Sequence, residues 1–343
     1  MREADRCIRR FYLTRMPQTA MLSNIRSVRR RTVRPAGGAG PAAHPRLSAR
    51  EAGNQCFGSN RLAKEVSRTT QGDPGARSVR HYPGCQAAVV YHERLLATEE
   101  IAARLGLAMD RMASEDCCGG VEDPPNFFSG IVAPLRLVDL AGEDQLATSC
   151  LSCLANLRGA FRRMDENPET RRRAAFSMQV VGYRVPEGTG ARHLLDLLAQ
   201  GDLAAAVAER AVGDLAGLRV AVYYGCRKGE LAERTPAAVE ETLRSLGVEL
   251  VPFVAAEECC GAPKGYRGGL PGGKGQAVLR GAAQAGAEVV VTVCGMCQAN
   301  LEKQRGGPVV IPFLQLLAVP LGMAEREVWL RRNDTAEGGR KDA

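Results

Sequence analysis

Val289-Val290-Val291-Thr292-Val293-Cys294-Gly295-Met296-Cys297 sets an apolar run directly against a Cys-X-X-Cys pair. A short continuous run of β-branched residues reads as a buried strand, and this one delivers two thiols at its carboxyl end. Outward from it, Leu218–Tyr224 reads as a second buried strand, ending near Cys226, and Pro236–Leu246 as an amphipathic helix. Glu249–Val254 reads as a strand running into Cys259-Cys260, Gly275–Ala285 as a helix, Glu288–Val293 as the apolar strand quoted above, and Val309–Phe313 as a further strand before a helix around Leu314–Leu317. Strand-helix alternation of this kind predicts an α/β fold with largely parallel sheets. In such folds ligands collect where strands end.

The pattern occurs twice. Ten of the twelve cysteines form two five-cysteine sets, Cys85, Cys117, Cys118, Cys150 and Cys153, then Cys226, Cys259, Cys260, Cys294 and Cys297, with equivalent positions 141 to 144 residues apart. The first half repeats the element order with weaker strands through Val79–Tyr82, Tyr91–Leu105, Leu107–Met112, Ile131–Ala141 and Gln145–Thr148. Internal repetition at a fixed spacing predicts two homologous domains, at 79–164 and 218–323. A linker with helices is expected at 165–217, with a helical stretch at His193–Val207, and a charged tail at 324–343.

Five thiols per half is an informative number. A structural zinc takes four ligands and a cubane iron-sulfur cluster takes one thiolate per iron, so a fifth cysteine calls for a bridging or reactive thiolate. Each double cysteine precedes glycine, in Cys117-Cys118-Gly119-Gly120 and Cys259-Cys260-Gly261. Adjacent side chains diverge in helices and strands, so both thiols reach one centre only if glycine lets the backbone turn sharply. Zinc sites with spare cysteines, a disulfide framework and a thioredoxin-type Cys-X-X-Cys pair remain open on the residues alone. The last leaves six of the ten cysteines unused, and disulfides do not suit a cytoplasmic chain of this size.

Of the 343 residues 45% are apolar, and no run approaches the roughly 18 apolar residues that span a bilayer. A cytoplasmic protein without a membrane span is expected. The net charge of +8 is uneven: residues 1–80 hold 17 Lys and Arg against 5 Asp and Glu, leaving 29 against 33 for the rest. Residues 1–78 read as a disordered basic extension, or as the product of a start site assigned upstream of one near Val79. Arg29-Arg30 is followed by no apolar segment, which argues against export, and the absence of interleaved aromatics argues against nucleic acid. Gly268 to Lys274 fits GxxxxGK, but Gly275 stands where a phosphate loop needs Ser or Thr, so a mobile glycine-rich loop is expected there.

The segments His81-Tyr82-Pro83-Gly84-Cys85, Tyr224-Gly225-Cys226, Glu258-Cys259-Cys260-Gly261-Ala262 and Val291 to Glu302, closing with Pro312-Phe313-Leu314-Gln315-Leu316-Leu317, are similar to another protein family over residues 79–323. They resemble the iron-sulfur subunit of heterodisulfide reductase that is built from cysteine-rich CCG domains. The resemblance implies two noncubane [4Fe-4S] clusters, held by the two cysteine sets, with a small disulfide substrate cleaved between them. It implies two partner subunits, one ferredoxin-like and one a flavoprotein, because the chain has no CxxCxxCxxxCP run of its own. Cys117 and Cys259 are then the catalytic candidates. His81 is a proton-donor candidate, as is His92, and Lys264 and Arg227 are candidates for offsetting cluster charge or holding an anionic substrate. The alternative is an electron-transfer subunit of a glycolate- or lactate-oxidising, or sulfur-oxidising, complex.

Overall fold

The computed structural model describes residues 77–324, apart from 86, 88–91, 113–115, 121–125, 143–144, 263–272 and 305. The chain is α/β as expected. The first half runs β1 (Arg77–Tyr82), α1 (His92–Arg104), β2 (Leu107–Arg111), α2 (Ala133–Ala141), β3 (Leu146–Thr148), α3 (Leu151–Glu166), α4 (Pro168–Val180), β4 (Arg192–His193), α5 (Leu194–Leu198) and α6 (Leu203–Arg210). The second runs β5 (Arg219–Tyr223), α7 (Thr235–Ser245), β6 (Glu249–Leu250), α8 (Lys274–Gln284), β7 (Val289–Thr292), α9 (Gly295–Leu301), β8 (Val309–Pro312) and α10 (Phe313–Leu316).

Each half holds a four-stranded parallel sheet in the same order, β2-β1-β3-β4 and β6-β5-β7-β8. The chain leaves the first strand of each sheet to one side and returns on the other, so a crevice opens at the carboxyl ends between β1 and β3, and between β5 and β7. Parallel strands need cover on both faces. In β7 all four residues are buried, each valine there worth about 1.5–3 kcal/mol. Exposed ion pairs such as Arg172 with Glu169 contribute about 0–1 kcal/mol each, so apolar burial sets the fold.

Three expectations are corrected. Residues 165–217 are not only a linker: β4, two residues long, completes the first sheet through Ala147 with Arg192 and Thr148 with His193. A two-residue strand carries no periodicity to read. The strand expected over Glu249–Val254 stops at Leu250, and Val254–Glu257 forms a 3-10 turn. The last ladder bond runs from Val251 N–H to the Val220 carbonyl, and Pro252 next in line has no N–H to offer. The helix expected from Ile131 starts earlier, with a π-helical turn at Phe128–Val132 leading into α2.

The two halves clasp each other. Cys150 and Cys294, which follow β3 and β7, pair as an isolated antiparallel bridge. From the second half α10 packs on α1, and Arg104 Nη1 donates to the Leu321 carbonyl at 3.3 Å. From the first half, the buried Asp196 of α5 accepts from Ala232 N–H at 3.0 Å and Thr235 Oγ1 at 2.7 Å. Arg158 of α3 reaches the Glu230 carbonyl at 2.7 Å.

Asp196→Ala strands the buried Thr235 hydroxyl away from water, a cost of about 2 kcal/mol, and removes the acceptor of Ala232 N–H. Denaturant unfolding should show that loss with an unchanged slope, and Asp196→Asn, which keeps an acceptor oxygen, should lose less.

Candidate metal centre

The element order puts each of the ten described cysteines on the segment that leaves a strand end, in the turn or the first turn of the helix beyond it. Cys85 follows β1, Cys117 and Cys118 follow β2, and Cys150 caps α3 after β3, with Cys153 one turn into that helix. In the second half Cys226 follows β5, Cys259 and Cys260 follow β6, and Cys294 caps α9 with Cys297 inside it. The two sets read along the chain are therefore also sets in space.

The double-cysteine turns share one construction. Gly119 (φ 82°) and Gly261 (φ 84°) take left-handed backbone, the conformation that turns adjacent thiols together. Gly119 N–H donates to Cys117 Sγ at 3.3 Å, Gly120 N–H to Cys118 Sγ at 3.4 Å, and Gly261 N–H to Cys259 Sγ at 3.4 Å. Around the turns a second layer repeats. The Tyr82 hydroxyl donates to the Asp116 carbonyl at 2.7 Å and accepts from Cys118 N–H at 3.0 Å, and the Tyr223 hydroxyl donates to the Glu258 carbonyl at 2.6 Å. Asn156 Nδ2 donates to the Cys118 carbonyl and Asn300 Nδ2 to the Cys260 carbonyl. Burial first, and then the neighbouring thiolates, push both phenols far up, so each stays a neutral donor. Sequence reasoning missed this layer. Its signal was available, since Tyr82 and Tyr223 lie 141 residues apart and Asn156 and Asn300 lie 144 apart, the spacings of the cysteines themselves.

The sulfurs form a chain of mutual hydrogen bonds. Donation from Cys118 and Cys85 drives Cys117 down to about 3. The bond that Cys118 gives to Cys117 pushes Cys118 up to about 12. Cys153 and Cys294 donate to Cys150 and hold it well below the usual thiol range, and donation from Cys297 lowers Cys260. Cys153, Cys294 and Cys297, the donors, are raised. The two sets meet where Cys150 Sγ and Cys294 Sγ lie 3.8 Å apart. Cys226, exposed beside Arg227, is pushed up to about 11 by partial burial and by Cys259. Among the described residues no three His, Cys, Asp or Glu side chains gather round one point as a single ion requires; contacts run from sulfur to sulfur instead.

A cavity of about 80 Å³ lies at this junction, lined by Cys85, Cys117, Cys118, Cys150, Cys153 and Cys294 with apolar neighbours such as Leu195, Met296 and Phe313. Cys117 reaches it, whereas Cys259 sits with Cys226. His81 does not belong to it. His81 is fully buried on the strand face opposite Tyr82, its Nδ1 3.1 Å from Glu99 Oε1, which Arg111 Nε also engages at 2.8 Å. That pairing gives His81 a structural partner on α1 rather than a path to the sulfurs. Lys264 and residues 268–272 of the glycine-rich segment lie outside the described residues, its end at Lys274 is the first residue of α8, and of His92 only the backbone, the first residue of α1, is described.

An iron-sulfur group fits the residues present. The donor set is all sulfur, and in both halves a glycine stands where a side chain would fill the space: a Cβ on Gly84 would lie 3.3 Å from Cys153 Sγ, and one on Gly225 3.3 Å from Cys297 Sγ. The residues that would hold such groups are the two five-cysteine sets.

Fold and site together define a duplicated cysteine-rich domain protein. Residues 79–158 and 220–302 each match the cysteine-rich domain family CCG, so the chain carries two copies of that domain. It is 27% identical over 277 residues to the 8-methylmenaquinol:fumarate reductase membrane anchor subunit of Wolinella succinogenes, covering 74% of this chain and 95% of that protein. A hypothetical protein from Helicobacter pylori has a crystal structure that superposes with a TM-score of 0.53 at 12% identity, over 80% of this chain and 57% of that one. The chain thus spans less than two thirds of that structure, and the likeness is one of fold. Clustered thiols in these domains point to iron-sulfur binding and a redox role. Among the described residues no helix is long and apolar enough to cross a membrane.

The turns and the thiols each generate a measurable expectation. Gly119 combines left-handed backbone, a penalty of about 1–2 kcal/mol for alanine, with a Cβ position that would collide with the Ser129 carbonyl; Gly119→Ala should therefore lower the melting temperature more than Gly106→Ala, which meets the same backbone penalty in open space. In the metal-free, reduced protein, Cys117 is a thiolate at any pH well above about 3 and Cys226 is a thiol until pH nears about 11. Alkylation of Cys117 should be flat between pH 6 and 8, and that of Cys226 should rise about tenfold per pH unit, as read by mass spectrometry of the two peptides.

Proposed function

We propose that this chain is the iron-sulfur subunit of a heterodisulfide reductase-like complex, with Cys85, Cys117, Cys118, Cys150 and Cys153 holding one noncubane [4Fe-4S] cluster and Cys226, Cys259, Cys260, Cys294 and Cys297 the other. The observation that carries this reading is the 3.8 Å approach of Cys150 to Cys294 beside a cavity shared by both halves. The first set lines that cavity and the second reaches it through Cys294; a relay has no need of such a junction, whereas a disulfide has two sulfurs to receive. Breaking its S–S bond takes two electrons and two protons and yields two thiols, and the bound clusters would supply the electrons, one from each side. The protein's own residues shape the place: the apolar walls keep water out, and Tyr82, Tyr223, Asn156 and Asn300 fix the turns that present the thiols. Electrons come from separate partners, a flavoprotein and a ferredoxin-like protein, since the chain has no ferredoxin motif.

A second reading is favoured by the Wolinella relative, which belongs to a quinol:fumarate reductase. In that reading the centres of this chain would pass electrons between a quinol and a partner protein, with no disulfide chemistry. The 2-hydroxyacid and sulfur-oxidising complexes belong to the same class of relay.

Anaerobically reconstituted protein should bind about eight irons and little zinc, because two four-iron clusters are proposed. Cys117→Ala and Cys259→Ala should each keep about half of that iron, retain the paramagnetic signal of the intact set, and lose disulfide reduction driven by an artificial electron donor. Two zincs without iron would overturn the reading. Disulfide reduction surviving in either variant would move the assignment to the quinol-linked relay.

A further inference from the structure

The duplication fails at one position beside the sulfur junction. By register, Thr148 on β3 faces His193 on β4, while Thr292 on β7 faces Pro312 on β8. The first half therefore places an imidazole where the second places a proline. His193 is 2% exposed and lines the junction cavity with Cys150 and Cys294. It also caps α5, its Nδ1 accepting from Leu195 N–H at 3.3 Å.

That cap fixes the tautomer. A neutral imidazole whose Nδ1 accepts carries its proton on Nε2, and burial keeps the ring neutral, the nearby Asp196 and Cys150 notwithstanding. The ring lies beside the backbone of Ser149 and Val293, the residues immediately before Cys150 and Cys294, and its buried Nε2 closes no hydrogen bond. The buried Thr292 Oγ1 on the same cavity wall is also unpartnered, although its counterpart Thr148 Oγ1 accepts from Cys150 N–H at 3.3 Å. A buried donor left unmade costs about 1–3 kcal/mol, and native proteins keep such groups where a bound species completes them.

We propose that His193 is a positioning residue for the sulfur junction: its Nε2–H is the hydrogen-bond donor that stabilises negative charge on the sulfurs where the two sets meet, and so sets the potential at which the junction accepts electrons. Hydrogen bonds to cluster sulfurs raise reduction potentials because the reduced state carries more negative charge. The junction is asymmetric, because only the first half contributes a side-chain donor from this position. This inference rests on the iron-sulfur reading of the cysteines but not on the identity of the substrate.

The test is a redox titration of reconstituted full-length protein followed by electron paramagnetic resonance, with three variants. His193→Asn keeps a good helix-capping acceptor and loses the distal N–H, whereas His193→Ala loses both. In each, one centre should become harder to reduce, its reduction equilibrium moving about tenfold, or about 59 mV for one electron. His193→Gln, which carries an N–H at a comparable reach, should recover part of the shift. Wild-type potentials in a folded, iron-loaded His193→Asn protein would overturn the proposal and leave His193 as a cap for α5. Failure of every form, wild type included, to take up iron would instead overturn the iron-sulfur reading and this inference with it.

Discussion

The structure turns on bringing buried thiols together without leaving them charged and unpaired. Ten cysteines close on one another at the ends of two parallel sheets, and six of them, Cys118, Cys150, Cys153, Cys260, Cys294 and Cys297, are buried. Isolated thiolates at such depth are costly. The chain meets the cost by letting raised thiols donate to lowered ones, so that Cys117, Cys150 and Cys260 are each held by neighbouring S–H groups. The same convergence that makes the metal-free protein a proton-sharing network makes it receptive to a metal group that displaces those protons.

What surrounds the thiols serves that convergence. The sheets supply strand ends at matching heights, left-handed Gly119 and Gly261 turn paired thiols inward, and Asn156 and Asn300 hold the carbonyls of Cys118 and Cys260. The reciprocal clasp, with Asp196 reaching into the second half and α10 lying on α1, keeps Cys150 against Cys294. A loose arrangement of two domains would not.

Much of this was legible in the sequence for a physical reason: apolar strands such as Val289–Thr292 and amphipathic helices such as Thr235–Ser245, with proline in its first turn, announce themselves locally. The grouping of the cysteines was legible because the repeat spacing is nearly constant. What stayed hidden depends on tertiary pairing. The two residues of β4 are a strand only because Ala147 and Thr148 lie alongside. His81 and His193 look alike in sequence, each beside apolar residues, and only the folded chain sends one to Glu99 on a helix and the other to the sulfur junction. The meeting of Cys150 with Cys294 could not be read from either half alone.

The clasp also bears on how the protein is born. The first cysteine set is complete at Cys153, but its neighbour across the junction, Cys294, is synthesised 141 residues later. At ribosomal speeds that gap is on the order of ten seconds, long compared with most local folding events. During that interval Cys150 stands at the end of a formed or forming sheet with no partner opposite, and the surface meant for α10 is bare. The nascent first half is thus a half-built site with a receptive thiol and an open apolar face, and in the cell it needs shielding from oxidants and wrong metals until the second half arrives.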